Sequence, residues 1–496
     1  MIEALLGLDI GTTSTKAVLF DLDGKELARA ASAPYTNHTP RPGWVEQDPE
    51  EIWGAVLTVL QEALVSAGTG VHVHGLCMAA QSGSLQPADK QGAPVYSLIT
   101  WMDGRTEALV HRWRAEGVQE WVKPQSGWTL YPGLCLPTIA WIREQDPDLF
   151  AKAQHYFSVN DFIAFRLTGQ RVTNPSNAGG MQLVDVHTAS WGEALCNLAG
   201  IKQSQLSYLN PSGAVIGPVK PEICRAVGLS EDAMLINGGH DQGCTALGMG
   251  IINPGMLLLA CGTAWVFTGV VLSPDRARIP DTLDINFHVL PDRWTISQSL
   301  GGLGVSLEWW LKQAWEGERS VRYRALDMEM ASAEPNDRLY FVPLTGGHDD
   351  PSTSRAGGFL GLQLSHNRAA MARAIMESAG YELAWALEAV VDAGMPVDSL
   401  SMVGGAASSP YWPGILTNIT GVPIEKPVFE IWPALGAAVL AGSGLGLYPD
   451  IEHALTLFRK ETEKVNPERA LLSFYAGASA GYREACLRAR GQSEGT

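Results

Sequence analysis

Two apolar runs, each interrupted by Gly-Thr and then resumed, stand about half a chain apart. The first is residues 4–10, a polar turn at 11–14, and a returning run at 15–22. The second is residues 256–261, the pair Gly262-Thr263, and a returning run at 265–270. Gly11 and Gly262 are separated by 251 positions in a chain of 496 residues. A strand, a tight turn and a returning strand, used twice at that spacing, predict two related lobes that each open on a hairpin. Asp23-Gly24 adds a second hairpin signal, with a third strand over residues 26–31.

Helical patterns follow the hairpins. Pro49–Ala67 carries acidic residues in its first turn, apolar positions at helical spacing and Gly68 at its end. Residues 136–144, 161–167 and 367–393 read as further helices, the last ending at Gly394. Strand-like runs at 73–78, 234–236 and 399–403 each lead into a glycine-bearing loop. Strands alternating with helices mean an α/β architecture. We place the two lobes at 1–246 and 247–496.

Composition removes several function classes. Thirty-five basic against 52 acidic side chains give a net charge of −17, which opposes sequence-independent nucleic-acid binding. An anionic small ligand stays allowed, since a pocket can be built from backbone amides. The longest charge-free stretch, 251–274, is broken by Pro254, Gly255 and Gly262-Thr263, so it reads as buried strands and not as a membrane helix. The opening MIEALLGLDIG lacks the pattern of a signal peptide, because Glu3 and Asp9 interrupt it. Seven scattered cysteines without a CxxC pair fit a reduced, cytoplasmic protein without a structural zinc. His72 and His74 are spaced to face one side of a strand, as metal ligands do. No carboxylate or cysteine lies beside them in the sequence, so they read as surface histidines. The 16 tryptophans read mostly as core fillers.

Three loops carry the chemistry. In Asp9-Ile10-Gly11-Thr12-Thr13-Ser14-Thr15-Lys16, a carboxylate ends a buried strand, small residues expose backbone N–H groups, and a lysine follows. Phosphate oxygens need several donors at once, and such a turn supplies them. Asp9 suits Mg²⁺, usually through water. The alternative is a plain hairpin turn. In Gly238-Gly239-His240-Asp241-Gln242-Gly243, Asp241 sits where a strand ends and can accept a hydroxyl proton, with His240 as the rival base. Gly404-Gly405 follows a strand and lets a flat ring or a phosphate approach the backbone; a tight strand-to-helix turn is the alternative.

The order and spacing of these loops resemble the FGGY carbohydrate kinases, nearest to the xylulokinase-like members, within the actin-like ATPase superfamily. The resemblance spans nearly the whole chain. It rests also on Pro42-Gly43-Trp44-Val45-Glu46-Gln47-Asp48-Pro49, on residues 99–106 (ITWMDGRT), on residues 160–169, on Asn174 through Asn177, and on residues 410–421. It implies duplicated RNase H-like cores and a cytoplasmic enzyme that uses ATP and Mg²⁺ on a small sugar or polyol, with no nucleic-acid or membrane partner; a homodimer is left open. Carried onto matching positions, Asp241 is the base, and Gly11, Thr12, Thr13 and Lys16 line the phosphate region with Asp9 placing Mg²⁺. Gly262 and Thr263 form the second phosphate loop, and Gly404, Gly405 and Asn418 fall in the nucleotide segment. Gln81, Trp101, Asp103, Arg105 and Gln242 fall near the sugar. For Asp103 and Arg105 the alternative is a salt bridge that holds their loop together. Three departures touch the sugar side: Ser82-Gly83 after Gln81 in place of Met-His, Gln242 in place of Asn, and Asn177 in place of Asp. They leave open a ketopentose, a polyol such as glycerol or erythritol, a gluconate-like acid that Arg105 would attract, and a non-catalytic binding protein.

Overall fold

The computed structural model describes residues 1–262, 265–336, 338–344, 357–427 and 431–489. Thr263 lies outside the described residues.

Strands β1 (Ile2–Ile10), β2 (Thr15–Asp21) and β3 (Glu26–Ala31) form an antiparallel meander. Helix α1 (Pro49–Ala67) then crosses to β4 (Val71–Ala80), which runs parallel to β1. After a long helical insertion come β5 (Val215–Pro218) and β6 (Met234–His240), and β6 pairs parallel to β4. The sheet order is β5-β6-β4-β1-β2-β3. Helix α2 (Asp241–Gly248) leaves the end of β6.

The second half repeats the plan. Strands β7 (Gly255–Cys261) and β8 (Trp265–Val271) form its opening hairpin. Then come β9 (Asp284–Phe287), β10 (Trp294–Gly301), helix α3 (Arg368–Asp392), β11 (Val397–Val403), helix α4 (Trp412–Thr420) and β12 (Ile424–Pro427). Helix α5 (Trp432–Gly444), β13 (Thr462–Val465) and helix α6 (Arg469–Ala489) complete it. The sheet order is β9-β10-β8-β7-β11-β12-β13. Within it, β12-β11-β7-β8-β10 matches β6-β4-β1-β2-β3 in order. The hairpins are antiparallel and the next two strands parallel in both. The duplication predicted from the two Gly-Thr turns is therefore present in the strand topology. The charge-free stretch at 251–274 supplies the whole of β7 and β8. Among the described residues no helix is long and apolar enough to cross a membrane.

Alternation along β1 explains the layering. Ala4, Leu6, Leu8 and Ile10 point into one core, with Ile52, Val56 and Leu60 of α1. Leu5 points into the other, with Leu435, Ala437 and Ala438 of α5. A Cβ on Gly7 would fall 1.8 Å from the Ala434 carbonyl oxygen, so strand and helix touch backbone to backbone there. Helix α5 thus belongs by sequence to the second half and by packing to the first sheet. It also crosses α2 closely: a Cβ on Gly436 would lie 1.9 Å from the Cys244 carbonyl oxygen.

Candidate active site

Strands β1, β4 and β6 run parallel, and their register sets Ile10, Ala80 and His240 side by side. The residues that follow each strand therefore meet on one edge: the Gly11 turn, the Gln81 loop and Asp241. In parallel α/β sheets this carboxyl edge is where ligands bind.

Asp9 sits on the α5 face of β1, with its side chain 13% exposed. Its carboxyl pKa is pushed up to about 7, by burial first and by the nearby Asp241 carboxylate, against the pull of Lys16. Lys16 is its register partner across the hairpin, with Nζ 4.0 Å from Asp9 Oδ2. Two carboxylates with one ammonium leave this edge short of positive charge. Such an all-oxygen, electron-rich donor set fits a hard divalent cation such as Mg²⁺.

The Gly11 turn is clamped from outside. Gly11 N–H donates to the Ser14 carbonyl at 3.1 Å. The Thr12 carbonyl accepts from Gln47 Nε2 at 2.9 Å, and Thr12 Oγ1 accepts from Trp101 Nε1 at 2.9 Å. Thr13 is exposed, and its carbonyl accepts from Tyr35 N–H at 2.7 Å. A Cβ on Gly11 would meet nothing closer than 3.5 Å, so the protein's own contacts do not demand glycine there.

Asp241 opens α2. Its Oδ1 accepts from Gln242 N–H at 2.7 Å and lies 3.0 Å from His240 Nε2. The side chain remains 26% exposed. His240 is thus placed to orient the carboxylate. Gln242 Oε1 and Asn177 Oδ1 are buried without a hydrogen-bond partner. Gln242 follows Asp241 directly, and Asn177 Nδ2 donates to the Ala80 carbonyl at the end of β4 at 3.0 Å, so two orphaned acceptors on this edge fit a ligand that brings hydroxyl donors.

The remaining sugar-side residues are engaged with the protein. Gln81 is buried, with Nε2 3.3 Å from the Gly11 carbonyl and Oε1 accepting from Ser84 Oγ at 3.0 Å. Asp103 accepts from Val45 N–H at 2.7 Å and from the Arg105 backbone and guanidinium at 2.8–2.9 Å. Arg105 also donates to Glu46 Oε1 at 2.6 Å and stacks over Trp44 at 3.8 Å. The Asp103 and Arg105 side chains are each 1% exposed. Geometry therefore favours the loop-holding salt bridge over direct sugar contact for this pair. Glu46 and Gln47 were not singled out as site residues from the sequence. The signal that could have found them was the Gly43–Pro49 segment, which supplies Gln47 to the Thr12 carbonyl and Glu46 to Arg105.

In the second half, Ala260 of β7 pairs with Val403 of β11, so Gly262 and Gly404-Gly405 lie on the equivalent edge. Gly404 has φ +92, and a Cβ there would lie 2.6 Å from the Cys261 carbonyl oxygen. Gly405 is exposed with no heavy atom near its Cβ direction. That is an open backbone surface of the kind a nucleotide needs. Asn418 is turned away to the C-terminal segment: its Oδ1 accepts from Glu468 N–H at 2.7 Å.

The fold and the sequence are similar to those of known proteins. The family model for the N-terminal domain of the FGGY carbohydrate kinases matches residues 4–248, and that for the C-terminal domain matches residues 257–445. The chain is 28% identical over 442 residues to a xylulose kinase of Escherichia coli K12, covering 88% of this chain and 89% of that one. It is 31% identical over 466 residues to a glycerol kinase of Koribacter versatilis, covering 90% of each. The crystal structure of a xylulose kinase from Rhodospirillum rubrum superposes with a TM-score of 0.88 at 27% identity, covering 98% of this chain and 99% of that one. With both domain models matched in order over most of its length, the chain belongs to the FGGY family of carbohydrate kinases.

Proposed function

We propose that this chain transfers the γ-phosphoryl group of ATP to a hydroxyl of a small, neutral polyhydroxy compound, with a xylulose-like ketopentose first and a glycerol-type polyol second. The observation that carries the reading is the register of β1, β4 and β6, which brings Asp9, Lys16 and Asp241 to one edge. Asp241 accepts the hydroxyl proton as the oxygen attacks phosphorus, with His240 holding its carboxylate in place. Backbone N–H groups of Thr12 and Thr13, in the turn that Gly11 opens, and the ammonium of Lys16 bind the transferring phosphoryl oxygens. The second turn, with Gly262 and Thr263, takes the remaining phosphates, and the nucleotide lies over Gly404-Gly405. Asp9 would hold Mg²⁺, and the ion would supply charge neutralisation for the phosphoryl group. Residues 1–246 then present sugar and first phosphate loop, and 247–496 present the nucleotide. The close α2–α5 crossing is the natural axis on which the two halves close to exclude water.

The substrate class follows from charge. Asp241, Gln242 Oε1 and Asn177 Oδ1 all accept, so hydroxyl donors suit the site. A sugar acid would need a free cation, and Arg105 is already committed to Asp103 and Glu46. Gln81, Asp103 and Arg105 act by holding the loops, while Gln242 and Trp101 face the sugar. The test is ADP release on a ketopentose, a ketohexose, a tetritol, glycerol and gluconate. Highest kcat/KM on a neutral substrate supports the reading. A win for gluconate by more than tenfold overturns the charge argument, and ADP release independent of every acceptor overturns the kinase reading.

A further inference from the structure

Far from the carboxyl edge, at the opposite ends of β1 and β4, the structure gathers two imidazoles and two carboxylates. Glu3 and His72 are register partners on adjacent parallel strands, so their side chains share a face. His74, two residues on, shares it too. Glu3 Oε2 lies 2.9 Å from His72 Nδ1 and 2.5 Å from His74 Nε2. Asp232, from the turn before β6, approaches the other side of His72, with Oδ1 3.0 Å from Nε2. The two rings stand nearly perpendicular, with centroids 4.7 Å apart.

We propose that Glu3, His72 and His74 form a site for a divalent ion of the zinc class. Three features support it. The ligand atoms of the three residues already converge within 4.8 Å of one another. In a tetrahedral zinc site, ligand atoms stand about 3.3 Å apart, so small side-chain rotations open the cluster around an ion. Glu3 accepts from His72 Nδ1 and Asp232 from His72 Nε2; an ion would take the place of the Nδ1 proton, and Asp232 would then hold the ring in the carboxylate–imidazole–metal pattern that orients ligating histidines. All four side chains are partly exposed, His72 at 24% and His74 at 29%, so an ion can enter. Two nitrogens and one carboxylate oxygen select a borderline ion over Mg²⁺. Seven strand steps from Glu3 to Ile10 put the site about 23 Å from the catalytic edge. Its role is therefore to tie the ends of β1, β4 and the β6 approach together. The cysteine count could not reveal it, because all seven cysteines are buried and none takes part.

The experiment uses tag-free, full-length protein freed of metal and titrated with Co²⁺, then Zn²⁺. The proposal expects one Co²⁺ per chain with the intense visible absorption of tetrahedral coordination and no thiolate charge transfer. Zn²⁺ should displace it and raise Tm, while millimolar Mg²⁺ should not. His74→Gln should weaken Co²⁺ at least tenfold and abolish the Zn²⁺ effect on Tm, with sugar-dependent ADP formation within twofold of the parent. Asp232→Asn, at a side chain 73% exposed, is the second variant and should weaken binding without harm to the fold. Absence of the tetrahedral spectrum, or a spectrum and affinity unchanged in both variants, overturns the proposal.

Discussion

Adjacent glycines at the nucleotide edge should respond oppositely to the same change. Gly404→Ala puts a side chain at φ +92, ψ −179, a region almost confined to glycine, and sets Cβ 2.6 Å from a backbone carbonyl that cannot swing aside. The conformational strain costs about 1–3 kcal/mol. Displacing the Cys261 carbonyl costs about as much again. A loss on the order of 3 kcal/mol lowers Tm by roughly 6–12 °C for a lobe of this size. Gly405→Ala carries neither term, because no heavy atom lies within 4 Å of its Cβ direction and its φ is not left-handed. Its stability should stay within about 1 kcal/mol of the parent. If the nucleotide lies over this backbone, the methyl group blocks its approach and KM for ATP rises at least about tenfold, or roughly 1.4 kcal/mol. Thermal unfolding and a coupled ADP assay at saturating sugar read both effects. A Gly405→Ala enzyme with unchanged KM for ATP would refute the placement of the nucleotide, and an unshifted Tm in Gly404→Ala would refute the strain argument.

Arg105→Ala leaves Asp103 and Glu46 buried without their shared cation, so stability should fall by about 3–5 kcal/mol, seen as a large drop in Tm. A raised KM for sugar at unchanged Tm would instead return Arg105 to the substrate. His288 is buried with Nδ1 accepting from Leu290 N–H and Nε2 beside the Ile251 carbonyl, which fixes it neutral. Burial lowers its pKa to about 4. The unfolded chain then binds the extra proton first, so up to about 3 kcal/mol of stability should disappear as pH falls from about 6.5 to 4. Denaturation midpoints across that window should show the loss, and His288→Asn should flatten it.

Much of the fold was written locally. Helix α1 matches its predicted span because Asp48 caps the Glu50 N–H, Pro49 opens the first turn and Gly68 ends it. Helix α3 runs where the 367–393 pattern put it, capped by Asn367 and ended before Gly394 at φ +76. Strand β6 runs four residues past the predicted 234–236, because Gly238-Gly239 reads as a break in an apolar pattern. The structure uses Gly238 for closeness instead: a Cβ there would fall 1.7 Å from the Met78 carbonyl oxygen of β4. What sequence could not carry was contact over distance. The α5 packing on the first sheet depends on Gly7 meeting Ala434, more than 400 positions away. His72 looked unpartnered because Glu3 and Asp232 are 69 and 160 positions from it. The same limit applied to Arg105, whose charge reads as available until Glu46 arrives from the Gly43–Pro49 segment.

In the proposed reaction Asp241 takes a proton from a sugar hydroxyl as bound ATP gives up its γ-phosphoryl group. The direct measurement is sugar-dependent ADP formation by Asp241→Asn, alongside ATP binding measured by calorimetry on the same protein. Asparagine keeps the size and the acceptor oxygen near Gln242 N–H, but it cannot take the proton. If Asp241 is the base, kcat should fall by roughly 10²–10⁴, with ATP affinity within about twofold of the parent. Turnover near that of the parent enzyme would contradict it and move the proton to His240 or to water.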